Sequence, residues 1–393
     1  MDVHDFTPIQ YPANNPASSW YTTHFEFHDI DDNVLKLDIL GHVDPTAMKF
    51  LERLTGIDVK TVPMNDPETL SLFSRTDALK VDERNYHEVT GGLGLPEFGT
   101  PFVRGMLEAT MPDKFSDLVR ISGLSHGTDV WRTNAEDLIK NNGLSLDEVI
   151  GCRDDIMVYL MHAGLPAKLS FDIMESVRKG KGLREEWIEA MKANNVPQWY
   201  IESCLKIKYM FPKAHAVAYV MMAIRVAWFK VHQPLAYYCS YFSLRVNAHE
   251  IETQTASMET VQARLNSINM RLKDFNTKRD VTIKEKNLID TLEVTLELQS
   301  RGFTISQIDL DLSEADEYRL DPRDNKAIIP PFTVVDGLGV NVAKQIVSAR
   351  EEKPFISKKD LMSRGGISST TVKKFDELGV TTHLQETNQM SLF

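Results

Sequence analysis

The stretch that decides the fold is Tyr209-Met-Phe-Pro-Lys-Ala-His-Ala-Val-Ala-Tyr-Val-Met-Met-Ala-Ile-Arg-Val-Ala-Trp-Phe-Lys-Val-His232. Pro212 suits a helix start, and no Gly or Pro follows before Pro234, so a helix of about five turns is predicted. The helical period places apolar residues in one narrow stripe, which we expect to face the core. The residues of this stripe are Val217, Met221, Ile224 and Trp228.

The other side of the predicted helix carries His215, Tyr219, Val226 and Lys230, with Lys213 at its N-terminal end. A cation, an imidazole and a phenol near the free N–H groups of a helix start can bind a ligand that carries phosphate and a base. The same pattern fits a buried helix whose polar residues cap its end and extend to solvent. Both interpretations stay open on the pattern alone.

Composition excludes several classes of protein. A chain of 393 residues with 42% apolar content has room for two or three domains. The three cysteines form no C-x-x-C pair, so neither a disulfide framework nor a zinc site is indicated and a reducing cytoplasm fits. Arg225 interrupts the longest apolar run, and no basic-then-apolar leader begins the sequence, so we expect no membrane span and no secretion.

The net charge of −12 is unevenly distributed. Residues 1–70 carry 4 Lys/Arg against 12 Asp/Glu, whereas residues 168–232 carry 11 Lys/Arg against 6 Asp/Glu. An acidic segment suits divalent metal and a basic one suits phosphates. Charge runs are also found on ordinary solvated faces, so this map permits nucleic-acid binding without requiring it.

Turn residues and periodicity give a coarse map of the elements. Strands are predicted at Thr23–His28 and Val34–Leu40 around an Asp/Asn turn, and a helix at Asp44–Thr55 with Asp44 as N-cap. The Gly- and Pro-containing region 91–101 opens a helical section that ends near Arg245. Residues 246–300 are expected to be helical and polar. Strand-like pieces around 302–312 and 326–331 precede a helical tail.

Several long segments, in order, resemble the PolC-type DNA polymerase III alpha subunit of Gram-positive bacteria, a C-family replicative polymerase. The 209–232 stretch is similar to the fingers of that family. Lys36-Leu-Asp-Ile-Leu-Gly41 resembles the last part of its palm. The further segments that carry the resemblance are Phe98-Gly-Thr-Pro-Phe-Val-Arg104, Ile121-Ser-Gly-Leu-Ser-His-Gly-Thr-Asp-Val-Trp131, Val149-Ile-Gly-Cys-Arg-Asp-Asp-Ile-Met157 and Met174-Glu-Ser-Val-Arg-Lys-Gly-Lys-Gly182.

This resemblance implies a mainly α fold with small β elements (α+β), as a multidomain polymerase fragment with helical fingers and a helix-hairpin-helix domain. The implied domains are the C-terminal part of the palm at 1–70, fingers at 71–245, a duplex-binding region at 246–383 and a clamp-binding tail at 384–393. The helix-hairpin-helix is expected at about 330–375. The PHP and exonuclease domains, the thumb and most of the palm are expected to lie outside this chain.

Nucleotidyl transfer needs clustered carboxylates, because two Mg²⁺ ions bridge the primer hydroxyl and the incoming triphosphate. Asp38 matches the third metal-binding carboxylate of the family's palm and is the catalytic and metal residue that the resemblance implies. The family's Asp-x-Asp pair lies upstream and is absent, so we expect the isolated chain to be inactive. Asp309-Leu-Asp311 imitates that pair but is expected to be ordinary surface.

The fingers are expected to bind the nucleotide through Arg153, Lys208, Lys213 and His215, with Tyr219 beside the nascent base pair. Ser122–His126 is predicted to form a tight polar turn near this pocket. A second basic group fits two interpretations, a contact with template or triphosphate, or the plain C-terminal end of a helix capped by glycines. It consists of Arg178, Lys179 and Lys181.

Val335-Asp-Gly-Leu-Gly-Val-Asn-Val-Ala-Lys-Gln-Ile-Val347 fits a helix-hairpin-helix, in which Gly337 and Gly339 let backbone N–H groups approach a phosphate and Lys344 adds charge. Val342 and Ile346 are expected to pack inward. A poorer second copy is predicted at Arg364–Lys374. Such hairpins bind duplex through its backbone and not its base edges.

The chain ends in Gln389-Met-Ser-Leu-Phe393, which resembles the bacterial sliding-clamp motif. Gln389, Leu392 and Phe393 are the expected clamp contacts, although a tail folded onto its own domain is the alternative.

Three functions are therefore considered. The first is a segment of a cytoplasmic, nucleoid-associated replicative polymerase that binds primer-template DNA, dNTPs, the β clamp and the upstream part of the enzyme. The second is a truncated or split-gene product that binds DNA and clamp without catalysis. The third is a helix-hairpin-helix repair enzyme, against which the fingers segments argue.

Overall fold

A computed structural model describes residues 2–34, 42–82, 84 and 86–388. The chain divides into two compact units, residues 1–43 and residues 44–393. The predicted strand Val34–Leu40, with Asp38, and the clamp-motif residues 389–393 lie outside the described residues, apart from Val34.

The first unit contains a small antiparallel ladder and several 3₁₀ turns. Strand β1 (Ile9–Gln10) pairs with β2 (Thr22–Thr23), with Ile9 opposite Thr23. The predicted strand Thr23–His28 is wrong in extent, because the chain leaves the ladder after Thr23 and forms a 3₁₀ turn at Phe27–Asp29. The side chain of Glu26 caps that turn by accepting from the N–H of His28, and this local bond replaces strand pairing.

The second unit is mainly helical, which confirms the predicted fold class. Its helices are α1 (Val43–Thr55), α2 (Pro67–Ser71), α3 (Pro101–Thr110), α4 (Phe115–His126), α5 (Glu136–Asn142), α6 (Arg153–His162), α7 (Ala167–Arg178), α8 (Glu185–Ala193), α9 (Gln198–Lys206), α10 (Lys213–His232), α11 (Pro234–Leu244), α12 (Ile251–Gln254), α13 (Met258–Lys273), α14 (Ile283–Ser300), α15 (Val340–Glu352), α16 (Lys358–Gly365) and α17 (Ser369–Glu377).

Local sequence signals explain several of these boundaries. Thr100 caps α3 ahead of Pro101, and Thr282 with Glu285 forms a capping box at the start of α14. Helix α1 begins at Val43, one residue before the prediction. Asp44 therefore lies inside α1, where it is buried and pairs with Arg245.

Helix α10 runs through the main core, as the sequence predicts, but its buried face differs from the predicted stripe. Ile224 is buried, whereas Val217, Met221 and Trp228 are only partly buried. The prediction was wrong for Val226 and Lys230, which were assigned to the other side and are both buried. Helices α2, α4, α6 and α11 all pack against α10, so more than one face is covered. Its residues buried in the core are Ala216, Val220, Ala223, Ile224, Val226, Ala227, Phe229 and Lys230.

An ion pair joins α10 to α14 inside the core. Lys230 Nζ lies 2.8 Å from Glu297 Oε2, and both side chains are fully buried. Lys230 also donates to the carbonyls of Gly91 and Leu93. Two tyrosines complete the shell of Glu297, because the hydroxyl of Tyr86 donates to Oε2 and that of Tyr238 donates to Oε1. This shell explains how a charged residue occupies a position that periodicity assigned to the surface.

Among the described helices, α10 alone has the length and apolar composition that could cross a membrane. Its packing against α2, α4, α6 and α11 and its buried ion pair account for that composition within the protein core.

A three-stranded sheet precedes the last helices. Its order is β3 (Thr304–Ile305), β5 (Ala327–Ile329) and β4 (Arg319–Leu320), with β3 parallel and β4 antiparallel to β5. The predicted strand-like pieces are thus confirmed, with β4 in addition. Asp309 lies in a turn, where its carboxylate accepts the N–H of Asp311 and pairs with Arg323. That engagement fits the expectation of ordinary surface.

Candidate nucleotide and nucleic-acid interface

The start of α10 is held by two carboxylates from the start of α6. Asp154 Oδ2 accepts the backbone N–H of Lys213 at 2.7 Å, and Asp155 Oδ1 accepts from Lys213 Nζ at 2.8 Å. Asp155 Oδ2 also accepts the N–H of Cys152, which caps α6. An anion bound at this end of α10 must therefore compete with Asp154, a residue that the sequence argument did not consider.

Four rings form a continuous row that leads onto α10, here called the aromatic row. His126 stacks on Phe211 at 4.9 Å, Phe211 meets His215 edge-on at 4.4 Å, and His215 stacks on Tyr219 at 4.2 Å between ring centroids. The i, i+4 spacing of His215 and Tyr219 on one helix brings these two rings together. Such a row offers flat apolar surface with polar edges, which suits a nucleobase or a base pair.

The segment Ser122–His126 is not the predicted turn, because it forms the last turns of α4. Both ring nitrogens of His126 are engaged, Nδ1 with the carbonyl of Ser122 at 2.8 Å and Nε2 with Glu97 at 3.1 Å. The hydrogen bond to Glu97 raises the pKa of His126 above its ordinary value. At the end of the aromatic row the protonated form of an imidazole is thereby favoured.

Arg153 and Lys208 lie on the segments that flank this row. The N–H of Arg153 donates to the carbonyl of Phe211 at 3.1 Å, which fixes the start of α6 beside the aromatic row. The N–H of Lys208 donates to the carbonyl of Thr128 at 3.1 Å, and the Lys208 side chain is exposed. Backbone bonds thus bring Arg153 together with Lys213, His215 and Tyr219, whereas Lys208 lies one short segment earlier.

The second basic group lies beside Lys208. Gly180 adopts φ +68°, and a Cβ there would lie 2.5 Å from the carbonyl oxygen of Lys208, so only glycine permits this approach. Arg178 makes a two-point contact with Glu175, and Lys179 lies 3.1 Å from the same carboxylate. The bond from Arg178 lowers the pKa of Glu175 to about 2.

Neither interpretation of this group is excluded by the contacts. Lys181 is exposed, and within the described part of the chain it makes no ion pair. Arg178 and Lys179 share one carboxylate at the C-terminal end of α7, where basic residues also favour the helix dipole.

The helix-hairpin-helix loop is open to solvent. Gly337 adopts φ +87° and Gly339 is the N-cap of α15, and no atom of the described chain lies within 4 Å of a Cβ built at either. Lys344 is exposed on α15, while Ile346 packs inward as predicted and Val342 is partly buried. The helix before this loop is reduced to one 3₁₀ turn at Phe332–Val334.

The predicted second hairpin is formed by α16 and α17. Ser368 caps α17 by accepting the N–H of Thr371. Gln345 of α15 donates to the carbonyl of Arg364 at the end of α16, so the two hairpins lie side by side. The side chain of Gln345 also lies against Gly366, so the second loop is covered where the first is open.

Within the described residues, no group of three or more His, Cys, Asp or Glu is placed to hold a metal ion. The donors present therefore do not form a complete metal site, and no catalytic step is assigned to metal here. The predicted ligand Asp38 and the clamp contacts Gln389, Leu392 and Phe393 lie outside the described residues, so their roles stay predictions.

Comparison with known families matches two parts of the chain, the first of which ends before the segment 208–232. The profile of the bacterial DNA polymerase III alpha subunit finger domain matches residues 44–195, and that of a helix-hairpin-helix motif matches residues 302–390. The class of protein that these two matches indicate is the alpha subunit of bacterial DNA polymerase III.

The curated relatives narrow this class further. The chain is 55% identical to the PolC-type DNA polymerase III of Streptococcus thermophilus and of Streptococcus mutans, and 56% identical to that of Streptococcus pneumoniae. Each match covers 100% of this chain and 27% of the relative. Over its whole length the chain is thus similar to PolC-type DNA polymerase III, and it spans about a quarter of the length of these relatives.

Proposed function

We propose that this chain contributes to DNA-templated DNA synthesis as one segment of a PolC-type DNA polymerase III. In this assignment the upstream part of the enzyme supplies the Asp-x-Asp pair of the palm, and this chain supplies Asp38. Together these carboxylates would hold two Mg²⁺ ions, which stabilise charge on the attacking and leaving oxygens. The observation that carries the proposal is the match over the whole chain to polymerases of this type.

The fingers' part in this function is to bind the incoming dNTP. Lys213 and Arg153 supply cations, and the aromatic row supplies a flat surface beside them. Lys208 lies three residues before Phe211, and its backbone N–H donates to the carbonyl of Thr128. Binding the triphosphate would release Lys213 from Asp155, so the ion pair stabilises the fingers before substrate arrives.

Duplex binding is assigned to the helix-hairpin-helix loop at Gly337 and Gly339, with Lys344 beside it. The proposed setting is the bacterial cytoplasm at the replication fork, where Gln389, Leu392 and Phe393 would contact the β sliding clamp. A tethered contact of this kind would raise the effective concentration of polymerase at the clamp.

Primer extension tests the proposal. The purified chain alone should extend no primer, whereas the chain mixed with the upstream palm of the same polymerase and Mg²⁺ should extend it. Asp38→Asn should abolish the restored extension, and Asp32→Asn, at an exposed carboxylate nearby, should not. Extension by the isolated chain, or full activity of complemented Asp38→Asn, would refute the assignment.

The nucleotide site is tested in the same reconstituted enzyme. Lys213→Gln and His215→Ala should raise KM for dNTP while leaving the affinity for primer-template unchanged. Lys168→Gln, which removes an exposed cation on α7, is the matched control. An unchanged KM in both variants would assign these side chains to structure alone.

A further inference from the structure

The end of the helical hairpin formed by α13 and α14 exposes large apolar side chains. This end, residues 270–286, is here called the hairpin tip. Phe275 is 85% exposed, Ile283 76% and Met270 65%. The hairpin has its own small core, which includes Val261, Ile268 and Leu288 and excludes these three residues. The tip is thus ordered by this core, to which its own Val281 belongs, while Met270, Phe275 and Ile283 face outward.

The hairpin tip is also basic. Its seventeen residues contain six Lys/Arg and three Asp/Glu. The carboxylate of Glu285 forms ion pairs with Arg271 and Arg264. The hydrogen bond from Arg271 lowers the pKa of Glu285 to about 2. Asp274 accepts the N–H of Asn276. The exposed cations that remain without an ion pair among the described residues are Lys273, Lys278, Arg279 and Lys286.

The tip is linked to the helix-hairpin-helix loop by a contact that spans 52 residues of sequence. Lys284 Nζ lies 2.5 Å from Asp336 Oδ2, and Asp336 directly precedes Gly337 in the helix-hairpin-helix loop. Lys374 Nζ, from α17 of the second hairpin, donates to the carbonyl of Asp336 at 2.7 Å. Asp336 is therefore the point at which the hairpin tip and both hairpins of the duplex-binding region meet.

We propose that the hairpin tip is a second duplex-binding element, continuous with the helix-hairpin-helix loop. Lys278 and Arg279 contact phosphates of double-stranded DNA, and Phe275 packs against the deoxyribose edge of the same strand. The inference rests on the proposed function, because it takes duplex as the ligand of the neighbouring loop. An excess of positive charge favours an anionic partner over a purely apolar one, and the link to the helix-hairpin-helix loop through Asp336 favours DNA among anionic partners.

Salt dependence of binding measures the phosphate contacts directly. Each phosphate neutralised contributes about −0.9 to the slope of log Kobs against log salt. Lys278→Gln with Arg279→Gln should therefore make the slope shallower by about 1.8 in a fluorescence titration of the full chain with blunt duplex. Phe275→Ser should weaken binding without changing the slope, since an apolar contact releases no counterions. Lys168→Gln with Lys192→Gln, on exposed positions of α7 and α8, is the matched control for net charge.

The outcomes separate this inference from the proposed function. Unchanged slope and affinity in the tip variants, with binding lost in Gly339→Val, would overturn the second element and leave the loop assignment intact. Absence of duplex binding by the unaltered chain would overturn both. An equal change of slope in the α7 and α8 control would show a general charge effect and would also overturn the inference.

Cross-linking locates the tip on the DNA independently of affinity. The three native cysteines are all buried, so a thiol introduced by Asn276→Cys can be labelled selectively with a photoactivatable maleimide. Irradiation with a primer-template should attach the chain to the double-stranded part. Attachment only to the single-stranded overhang, or none in a sample that binds duplex, would contradict the proposal.

Discussion

Replacing Glu297 by Gln should be among the most destabilising single changes in this chain. Its carboxylate accepts from Lys230, Tyr86 and Tyr238, each at 2.8 Å, with no exposure of Lys230 or Glu297 to solvent. Gln keeps the shape but removes the charge, so the Lys230 ammonium is left buried without a counterion. Breaking a buried pair in this way costs about 3–5 kcal/mol.

The pH dependence gives a second, sharper test of the same pair. Burial lowers the pKa of Lys230 to about 8, with Glu297 opposing the shift. A lysine whose pKa is lower folded than unfolded costs stability at neutral pH, and that cost falls as pH rises between the two values. From pH 7.5 to 9.5, wild type should therefore gain about 2 kcal/mol relative to Lys230→Met.

Urea unfolding followed by circular dichroism and tryptophan fluorescence measures both effects. Lys230→Met/Glu297→Gln should cost less than the sum of the two single changes, because neither partner is left charged alone. A Glu297→Gln midpoint equal to that of wild type, or strict additivity in the double variant, would refute the argument that the pair compensates its own burial.

Three further predictions concern function and local electrostatics. Gly339→Val, at φ −77° with open space around its Cβ, should fold normally yet weaken duplex binding, and Gly337→Val/Gly339→Val should weaken it further; equal affinity in a titration would remove the hairpin assignment. Deleting residues 389–393 should abolish clamp binding in calorimetry and leave duplex affinity unchanged, whereas retained clamp binding would place the contact elsewhere. Glu97→Gln should lower the pKa of His126, which an NMR titration measures. The raised pKa of His126 in the folded protein stabilises the fold below the pKa of the unfolded chain, and this stabilisation is lost as pH rises through the folded value, so the variant should lack it. A His126 titration that does not shift in Glu97→Gln would contradict that coupling.

Local signals in the sequence were sufficient for a few helix boundaries. Pro212 and Pro234 bracket α10, and the Gly-Leu-Gly turn predicts the start of α15, because breakers and caps act within a few residues. The strand prediction at Thr23–His28 failed because strand pairing is not local. A two-residue strand depends on its partner, here Ile9–Gln10, and nothing in the local pattern selects that partner.

In the candidate site, too, some residues could be chosen from the sequence, whereas their contacts depend on tertiary packing. The residue types Arg153, Lys213, His215 and Tyr219 could be chosen from the sequence and its resemblance to polymerase fingers. That Asp154 occupies the N–H at the start of α10, and that Phe211 and His126 extend the row of rings, depends on how α4, α6 and α10 pack. The segment that contains His126 was noticed but assigned to a turn, so its role beside Glu97 was missed.

The sequence by itself determined the bounds of α10, the start of α15 and the resemblance to PolC-type polymerases, because each depends on short, contiguous patterns. The tertiary structure decided which residues meet. Lys230 is buried because Glu297, 67 residues later, supplies its counterion, and Asp336 joins the hairpin tip to the helix-hairpin-helix loop because Lys284 reaches it. An argument from helical periodicity assumes that a helix buries one face and that its charged residues lie in water. Helix α10 is packed on several sides, and Lys230 has an opposite charge from a distant part of the chain, so neither assumption holds.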